Sequence, residues 1–351
     1  MEPRVAVIIL NWNGWRDTIE CLESLYEVSY EPMFITVVDN GSTDGSIQRL
    51  RDYCQGGVEI QSRIFRFKSG TQPVSIVEYA REEAERKSQR ATRDTDVRQK
   101  RKVTLIRNER NYGFAEGSNI GMRYVLAAVD PEYILLLNND TVVDPLFLTE
   151  LVRVGESDNR IGILGPKIFF YDFDGRSDVI WYSGGRINAW REWVFSHIGI
   201  FEEDRGQHDS IAETDWCTGA AFILKRELAE KSLLNPVYPF GTEDVEYCIN
   251  ARKSGYRVMY VPSARVWHKV GVSRDKIGGR IRRDSAGYMY FIRQNFSDTV
   301  YAYHVLLFFS VVLPRWAVTY AIEHGDKETW RAFLKDMKRL LENLVVGSRK
   351  A

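Results

Sequence analysis

Three groups of side chains in this 351-residue chain are equipped for chemistry. The first is Asn138-Asn139-Asp140, which closes the apolar run Tyr133–Leu137. Such a run suits a central strand buried on both faces, and its carboxyl end is where α/β proteins place their ligands. Asp140 reads there as a metal ligand; a helix cap ahead of Asp144-Pro145 is the competing reading. The second group is Phe240-Gly241-Thr242-Glu243-Asp244, where two adjacent carboxylates open a helix. Negative charge suits a helix N-terminus, but a carboxylate held this way also has the rigidity that a general base needs. The third is Val266-Trp267-His268, an imidazole beside an aromatic after a strand, either structural or a nitrogen ligand for a cation.

The elements that must position these groups follow from periodicity. Val5–Leu10 reads as the first strand, Asn11-Trp12-Asn13-Gly14 as a polar turn, and Trp15–Val28 as an amphipathic helix with Ile19, Leu22 and Leu25 on one face. Phe34–Val38 is the second strand and ends in Asp39-Asn40-Gly41-Ser42-Thr43-Asp44, where Ser42 or Asp44 can cap the next helix. Strands that alternate with helices and end in polar loops signal a parallel sheet. Val103–Ile106, Tyr133–Leu137, Ile161–Phe170, Thr218–Leu224 and Arg257–Val261 read as further strands. Helices are expected after Asn108–Asn119 to about Val129, over Leu146–Val154, and over Glu243–Ser254 closed by Gly255. Trp181–Ile200, crowded with Trp, Tyr and Gly, reads as a small antiparallel excursion. The polar loops Asn11–Gly14, Asp39–Asp44 and Asn138–Asp140 should then converge on one sheet edge. There Asp39 could accept hydrogen bonds from a ribose or a base, or simply close an Asx-turn. A G-x-G-x-x-G fingerprint and a G-x-x-x-x-G-K-[ST] loop are both absent from the first two loops.

Two stretches break the pattern. Residues 56–102 are dense in charge and read as a solvated, partly helical insertion between strands, with Gln89–Lys102 strongly basic and able to touch anionic headgroups or an acidic ligand. After about residue 280 three helical segments are expected, near Asp284–Phe296, Tyr301–Ile322 and Lys327–Val346. Pro314-Arg315 interrupts Tyr301–Ile322, whereas a spanning helix needs roughly 20 clean apolar residues. That segment therefore reads either as a packed helical lid or as an amphipathic element lying in a membrane interface.

Composition narrows the class. Hydrophobic content of 44% and charge of 27% are ordinary for a globular protein. Lys+Arg and Asp+Glu are both 48, which argues against nucleic acid as a partner. Cys21, Cys54, Cys217 and Cys248 lack C-x-x-C spacing and read as reduced packing residues of a cytosolic protein without a signal peptide.

Taken in order, V-I-I-L-N-W-N-G, V-V-D-N-G-S-T-D-G-S, N-Y-G-F-A-E-G-S-N-I-G, L-L-L-N-N-D, W-C-T-G-A-A-F-I-L-K-R, G-T-E-D-V-E-Y-C and V-W-H resemble family 2 glycosyltransferases, especially the rhamnosyltransferase-like branch, over about Val5–Tyr290. The resemblance implies a GT-A fold, a mixed and mostly parallel α/β sheet flanked by helices, over residues 1–280, with a C-terminal helical appendage over 281–351. It implies an inverting transfer from a nucleotide-sugar donor (UDP- or dTDP-linked) to a glycan or lipid-linked glycan, with a divalent cation, Mg2+ or Mn2+, as cofactor. Asn11, Asn13, Asp39 and Asn40 would line the nucleotide pocket, and Asn111, Gly113 and Asn119 the diphosphate and ribose side, with Asn139 also on the donor. Trp216, Thr218, Gly219 and Ala220 would shape the sugar and acceptor pocket. Asp140 and His268 would hold the metal, and Asp244, beside Glu243, would be the catalytic base. Asn138 stands where the family's D-x-D motif has its first acid, so the metal would lean on Asp140, His268 and the diphosphate. Competing functions are a sugar-1-phosphate nucleotidyltransferase and a catalytically silent sugar-nucleotide or glycan-binding subunit. The implied setting is cytoplasmic, peripheral on the inner membrane face.

Overall fold

A computed structural model describes residues 2–67, 73–90 (88–90 by backbone alone), 101–238, 241–270, 287–315 and 318. The chain divides into two compact units. The first is Met1–Arg186, Ser196–Pro236 and Glu243–Val272; the second is Ile187–Phe195, Val237–Thr242 and Ser273–Ala351.

The first unit is built on an 11-stranded sheet. Its strands are β1 (Val5–Asn11), β2 (Met33–Asp39), β3 (Ser75–Ala80), β4 (Lys102–Arg107), β5 (Tyr133–Asn138), β6 (Thr141–Val143), β7 (Ile161–Phe170), β8 (Ile180–Tyr182), β9 (Ala212–Glu213), β10 (Ala221–Lys225) and β11 (Arg257–His268). The order is β9-β11-β7-β10-β5-β1-β2-β4-β3, with β6 on β11 and β8 on β7. β5, β1, β2, β4 and β3 run parallel, while β10 lies antiparallel between β5 and β7. Val5–Ile9 and Ile134–Leu137 are almost wholly buried, which explains why these strands read as unbroken apolar runs rather than alternating ones. The helices are α1 (Trp15–Tyr26), α2 (Ser46–Cys54), α3 (Arg81–Arg90), α4 (Gly113–Ala128), α5 (Phe147–Gly155), α6 (Arg226–Lys231) and α7 (Glu243–Lys253). α4 packs on β1 and β2, and α5 on β7 and β11. All four cysteines are free and buried.

The sheet corrects three expectations. The charged stretch after Gln55 is more than a solvated insertion, because it supplies β3, a parallel edge strand on β4, and then α3. Glu78 of β3 is held by Arg51 of α2 (2.8 Å) and by Arg107 of β4 (3.6 Å), so charge there fastens the edge instead of keeping it in solvent. The strand expected to stop at Val261 continues through a bulge to His268, because Arg265–His268 pair with Lys167–Phe170 of β7 and with β6. β6 itself, only three residues long, was not anticipated. At α2 neither expected residue is the N-cap: that position is Gly45, in the left-handed region, with no side-chain cap, while Asp44 just ahead of it accepts from Ser46 N–H (2.9 Å) and Ser42 turns toward Asn13.

In the second unit, residues 287–295 form α8. α9 (Asp298–Leu307) starts earlier than expected because Ser297 caps it, and it runs on into a π-helical turn, Phe308–Val312. No described helix is long and apolar enough to cross a membrane. The basic residues 91–100 and the helix expected over Lys327–Val346 lie outside the described residues.

Candidate active site

The parallel register puts Asn11 opposite Asp39 and Leu10 opposite Asn138, so the three polar loops do meet at one edge. Asn11 donates to Asp39 Oδ2 (2.7 Å) and to Ser42 Oγ (3.2 Å), and Asp39 Oδ1 accepts from Ser42 N–H (3.0 Å). Thr18 of α1 donates to Asn11 Oδ1 (2.8 Å) and accepts from Asn139 (3.1 Å), joining β5 to the same network. Asn139 also reaches the Gly14 carbonyl (3.3 Å); a Cβ on Gly14 would stand 2.5 Å from that amide. Asn13, exposed and left-handed at φ 53°, accepts from Thr43 (2.7 Å) and Asp44 (3.2 Å) N–H. Asn11 and Asp39 are fully buried, so in this conformation they shape the loops from behind.

Asn40 has all four of its amide hydrogen-bonding positions filled. It donates to Asn111 Oδ1 and the Gly113 carbonyl, both at 3.0 Å, and accepts from Asn108 Nδ2 and Tyr112 N–H, both at 3.1 Å. It therefore fastens the loop from β4 to α4, which Asn111 tightens further by accepting from Gly113 N–H (2.7 Å). Asn119 is not brought to these loops by its side chain. Its amide is spent on both backbone groups of Leu234 (2.8 and 3.0 Å), stapling α4 to the segment after α6.

The extension of β11 carries His268 to Asp140, with Nε2 3.1 Å from Oδ1 and both residues largely enclosed. Burial pushes the Asp140 carboxyl up, but the facing His268, its own backbone hydrogen bond and nearby Lys269 outweigh that and leave it below its ordinary range. The Asp140 carbonyl accepts from Lys269 N–H (3.0 Å), and the Lys269 ammonium is clasped by Asp17 and Glu20 of α1, each at 2.5 Å. No cluster of three or more His, Cys, Asp or Glu side chains is assembled among the described residues, so protein would supply a cation with this Asp/His pair. The pair fits that role: a carboxylate oxygen and an imidazole nitrogen converge, and His268 Nδ1 is buried with no hydrogen-bond partner among the described residues.

Asp244 lies at the start of α7, where Val245 N–H donates to Oδ1 (2.8 Å) and Gly219 N–H to Oδ2 (2.6 Å). Burial pushes its carboxyl above the ordinary range against the pull of these hydrogen bonds. Glu243 is buried beside it. One step from Gly219, the Ala220 carbonyl accepts from Asn138 N–H (2.9 Å). The base candidate and the strand end that bears Asp140 are thus joined through two backbone contacts. Cys217 N–H donates to Cys248 Sγ (3.3 Å), fixing the same segment to α7 a second time.

An aromatic wall that the sequence pointed to only by its Trp and Tyr content stands beside His268. Trp181 meets His268 edge to face at a centroid separation of 4.7 Å and meets His197 likewise at 4.6 Å. His197 Nδ1 lies 2.9 Å from the Trp181 carbonyl. Because a carbonyl only accepts, Nδ1 carries the proton. Burial pushes the His197 imidazole down to about 4, leaving it neutral at pH 7. Tyr182 and Trp216 continue the wall, with Tyr182 donating to the Trp216 carbonyl (2.6 Å). Thr18, Trp181 and His197 carry no motif, and their importance emerges only from contacts made across the fold, while Ser42, inside V-V-D-N-G-S-T-D-G-S, reads from the sequence only as a helix cap.

Two family models cover most of the chain: "Glycosyltransferase like family 2" over residues 67–289 and "Glycosyl transferase family 2" over residues 6–84. Among curated proteins, the chain is 24% identical over 149 residues to the low-salt glycan biosynthesis hexosyltransferase Agl10 of Haloferax volcanii, covering 42% of this chain and 46% of that protein. It is 25% identical over 236 residues to the uncharacterized protein y4gI of Sinorhizobium fredii, covering 62% of this chain and 25% of that one. The chain thus spans less than half the length of either relative. Among solved structures, the mannosyltransferase PcManGT from Pyrobaculum calidifontis, in complex with GDP-Man and Mn2+, superposes with a TM-score of 0.53 at 17% identity, covering 97% of this chain and 81% of that one. S. aureus TarS 1-349 in complex with UDP-GlcNAc does so with a TM-score of 0.54 at 13% identity, with the same coverage. These likenesses and the mixed, mostly parallel sheet make the fold GT-A. From the family models, the chain belongs to glycosyltransferase family 2.

Proposed function

We propose that the first unit transfers a hexosyl group from a nucleoside-diphosphate sugar to a hydroxyl of a glycan or lipid-linked glycan, inverting the anomeric centre. The observation that carries this reading is the path Asp140–Asn138–Ala220–Gly219–Asp244. It ties a carboxylate–imidazole pair suited to a divalent cation to a buried carboxylate suited to proton removal. Family membership and the nucleotide sugars and Mn2+ named for the structural neighbours agree with it. Asp140 and His268 would hold Mg2+ or Mn2+, which offsets charge on the departing diphosphate. The polar edge built on Asn11, Asn13, Asp39 and Asn139 would shape the nucleotide pocket, with Asn111 and Gly113 on the diphosphate side. Trp216 and Gly219, both buried in this conformation, would back the sugar side. Asp244 takes the proton of the acceptor hydroxyl as that oxygen bonds to the anomeric carbon and the bond to the diphosphate oxygen breaks. Both its oxygens are oriented by backbone N–H groups, and its raised affinity for a proton strengthens it as a base.

The test is nucleoside diphosphate release from a panel of UDP-, dTDP- and GDP-sugars, with and without acceptor and Mn2+. Asp244→Asn is expected to lower turnover by about 10²- to 10⁴-fold while donor affinity stays within a few-fold. Near-wild-type turnover in that variant would overturn the base assignment. Since the ionised carboxylate is the active form, kcat/KM should fall with decreasing pH in a limb centred above the ordinary carboxylate range.

We further propose that the second unit rests on an anionic membrane surface, facing the cytoplasm. A helix in water normally presents polar groups outward, yet α9 and the turn after it expose Leu306 (68%) and Val311 (44%). Trp190, also exposed, packs against Tyr303 of α9 (5.5 Å), and Arg191 and Arg293 lie exposed in the same unit. Aromatic, aliphatic and arginine side chains combined in this way suit headgroup depth.

A further inference from the structure

A histidine that ligates a metal ordinarily donates its second ring N–H to a carboxylate, a carbonyl or water, and that bond fixes both tautomer and ring orientation. His268 lacks such a partner: Nε2 faces Asp140, while Nδ1 is buried without a hydrogen bond among the described residues. Apart from the Nε2 contact with Asp140, no hydrogen bond among the described residues keeps this ring from turning about its χ angles. The group in place is Trp181, whose ring meets the imidazole at an interplanar angle of 77°. Edge-to-face aromatic contacts have a preferred geometry and contribute beyond the area they bury.

Trp181 is itself held from the other side. His197 meets its ring at 85° and bonds its carbonyl, and His197 in turn packs against Tyr182 (5.4 Å) and Trp216 (5.2 Å). Trp216 is locked from below, since a Cβ on Gly185 would stand 2.3 Å from its indole nitrogen. The stack therefore runs from Trp216 through His197 and Trp181 to His268.

We propose that Trp181 is a positioning residue for the cation, orienting His268 by ring packing in place of the usual hydrogen bond. This rests on the reading of Asp140 and His268 as the metal pair. Its consequence is a division of labour within one wall: Trp216 stands toward the acceptor segment, Trp181 toward the ion.

The experiment is Mn2+ binding to the full chain in the presence of UDP, followed by electron paramagnetic resonance of the free ion, for wild type, Trp181→Leu, Trp181→Phe and His268→Ala. Removing an outer-shell partner typically weakens metal affinity by about 10- to 100-fold. Trp181→Leu is expected to fall in that range, and Trp181→Phe, which keeps a ring edge, within a few-fold of wild type. Metal-free UDP binding and the melting temperature in chelator serve as fold controls. If the Leu variant is unfolded, Trp181→Met, which fills volume without a ring, takes its place with the same expectation. Weakened Mn2+ binding in His268→Ala with wild-type binding in Trp181→Leu would overturn the inference and leave the metal pair standing. Wild-type Mn2+ binding in His268→Ala would instead remove the metal pair itself. A Trp181→Leu variant that binds Mn2+ normally but shows a raised acceptor KM would also overturn the inference, making the ring a sugar platform.

Discussion

Asn138 gives its backbone to the frame of the site, its N–H to the Ala220 carbonyl and its carbonyl to Thr141 Oγ (2.6 Å). The side chain can therefore be changed without unpicking those contacts. An amide is a weaker ligand for a hard cation than a carboxylate, and affinity rises with ligand charge. Asn138→Asp is expected to lower the Mn2+ concentration that half-saturates turnover by about tenfold, checked by metal titration at fixed donor. An unchanged half-saturation would place this side chain outside the ion's shell. At this scale the sequence was informative where residue type alone carries meaning. An acid at a strand end and a histidine near a later one pointed to Asp140 and His268, which the structure brings within 3.1 Å. It was uninformative where meaning lies in partners. Nothing local tells that the Asn40 amide is consumed by Asn108, Asn111, Tyr112 and Gly113, or that of Asn119 by Leu234.

The elements that periodicity predicted well are the long, doubly buried ones. β1, β5 and β7 announce themselves as apolar runs, and α7 by its acidic start and closing glycine. β3 escaped because a six-residue, half-buried edge strand holding Glu78 has no apolar run, and its partners Arg51 and Arg107 are distant in sequence. The far half of β11 escaped because its bulge interrupts the alternation. The aromatic wall depends on a close approach between the residues just after β8 and the segment before β10, made possible by the missing side chain at Gly185. A methyl group there would press on the buried Trp216 indole. Gly185→Ala is expected to cost about 1–3 kcal/mol, read as a lower denaturant midpoint with unchanged slope. Full wild-type stability would mean that the wall can shift.

For the molecule as a whole, the proposed membrane contact predicts a dependence on the exposed Leu306 and Val311 of the second unit and on lipid charge. In flotation with vesicles containing phosphatidylserine, the full chain is expected to float and Leu306→Glu to remain at the bottom, with little binding of either to neutral vesicles. Equal behaviour of the two proteins would sink the membrane reading. The sheet of the first unit has a different consequence. Its margins are β3, six residues long with Glu78 clamped between two arginines, and β9, only two residues long. An open strand edge is a template on which another chain can add by backbone pairing, and short or charged margins deny it length and register. The charged stretch after Gln55 thus also acts as a selvedge: it finishes one margin of the sheet with a short, charge-clamped strand, so that the fabric offers little on which another molecule could knit onward.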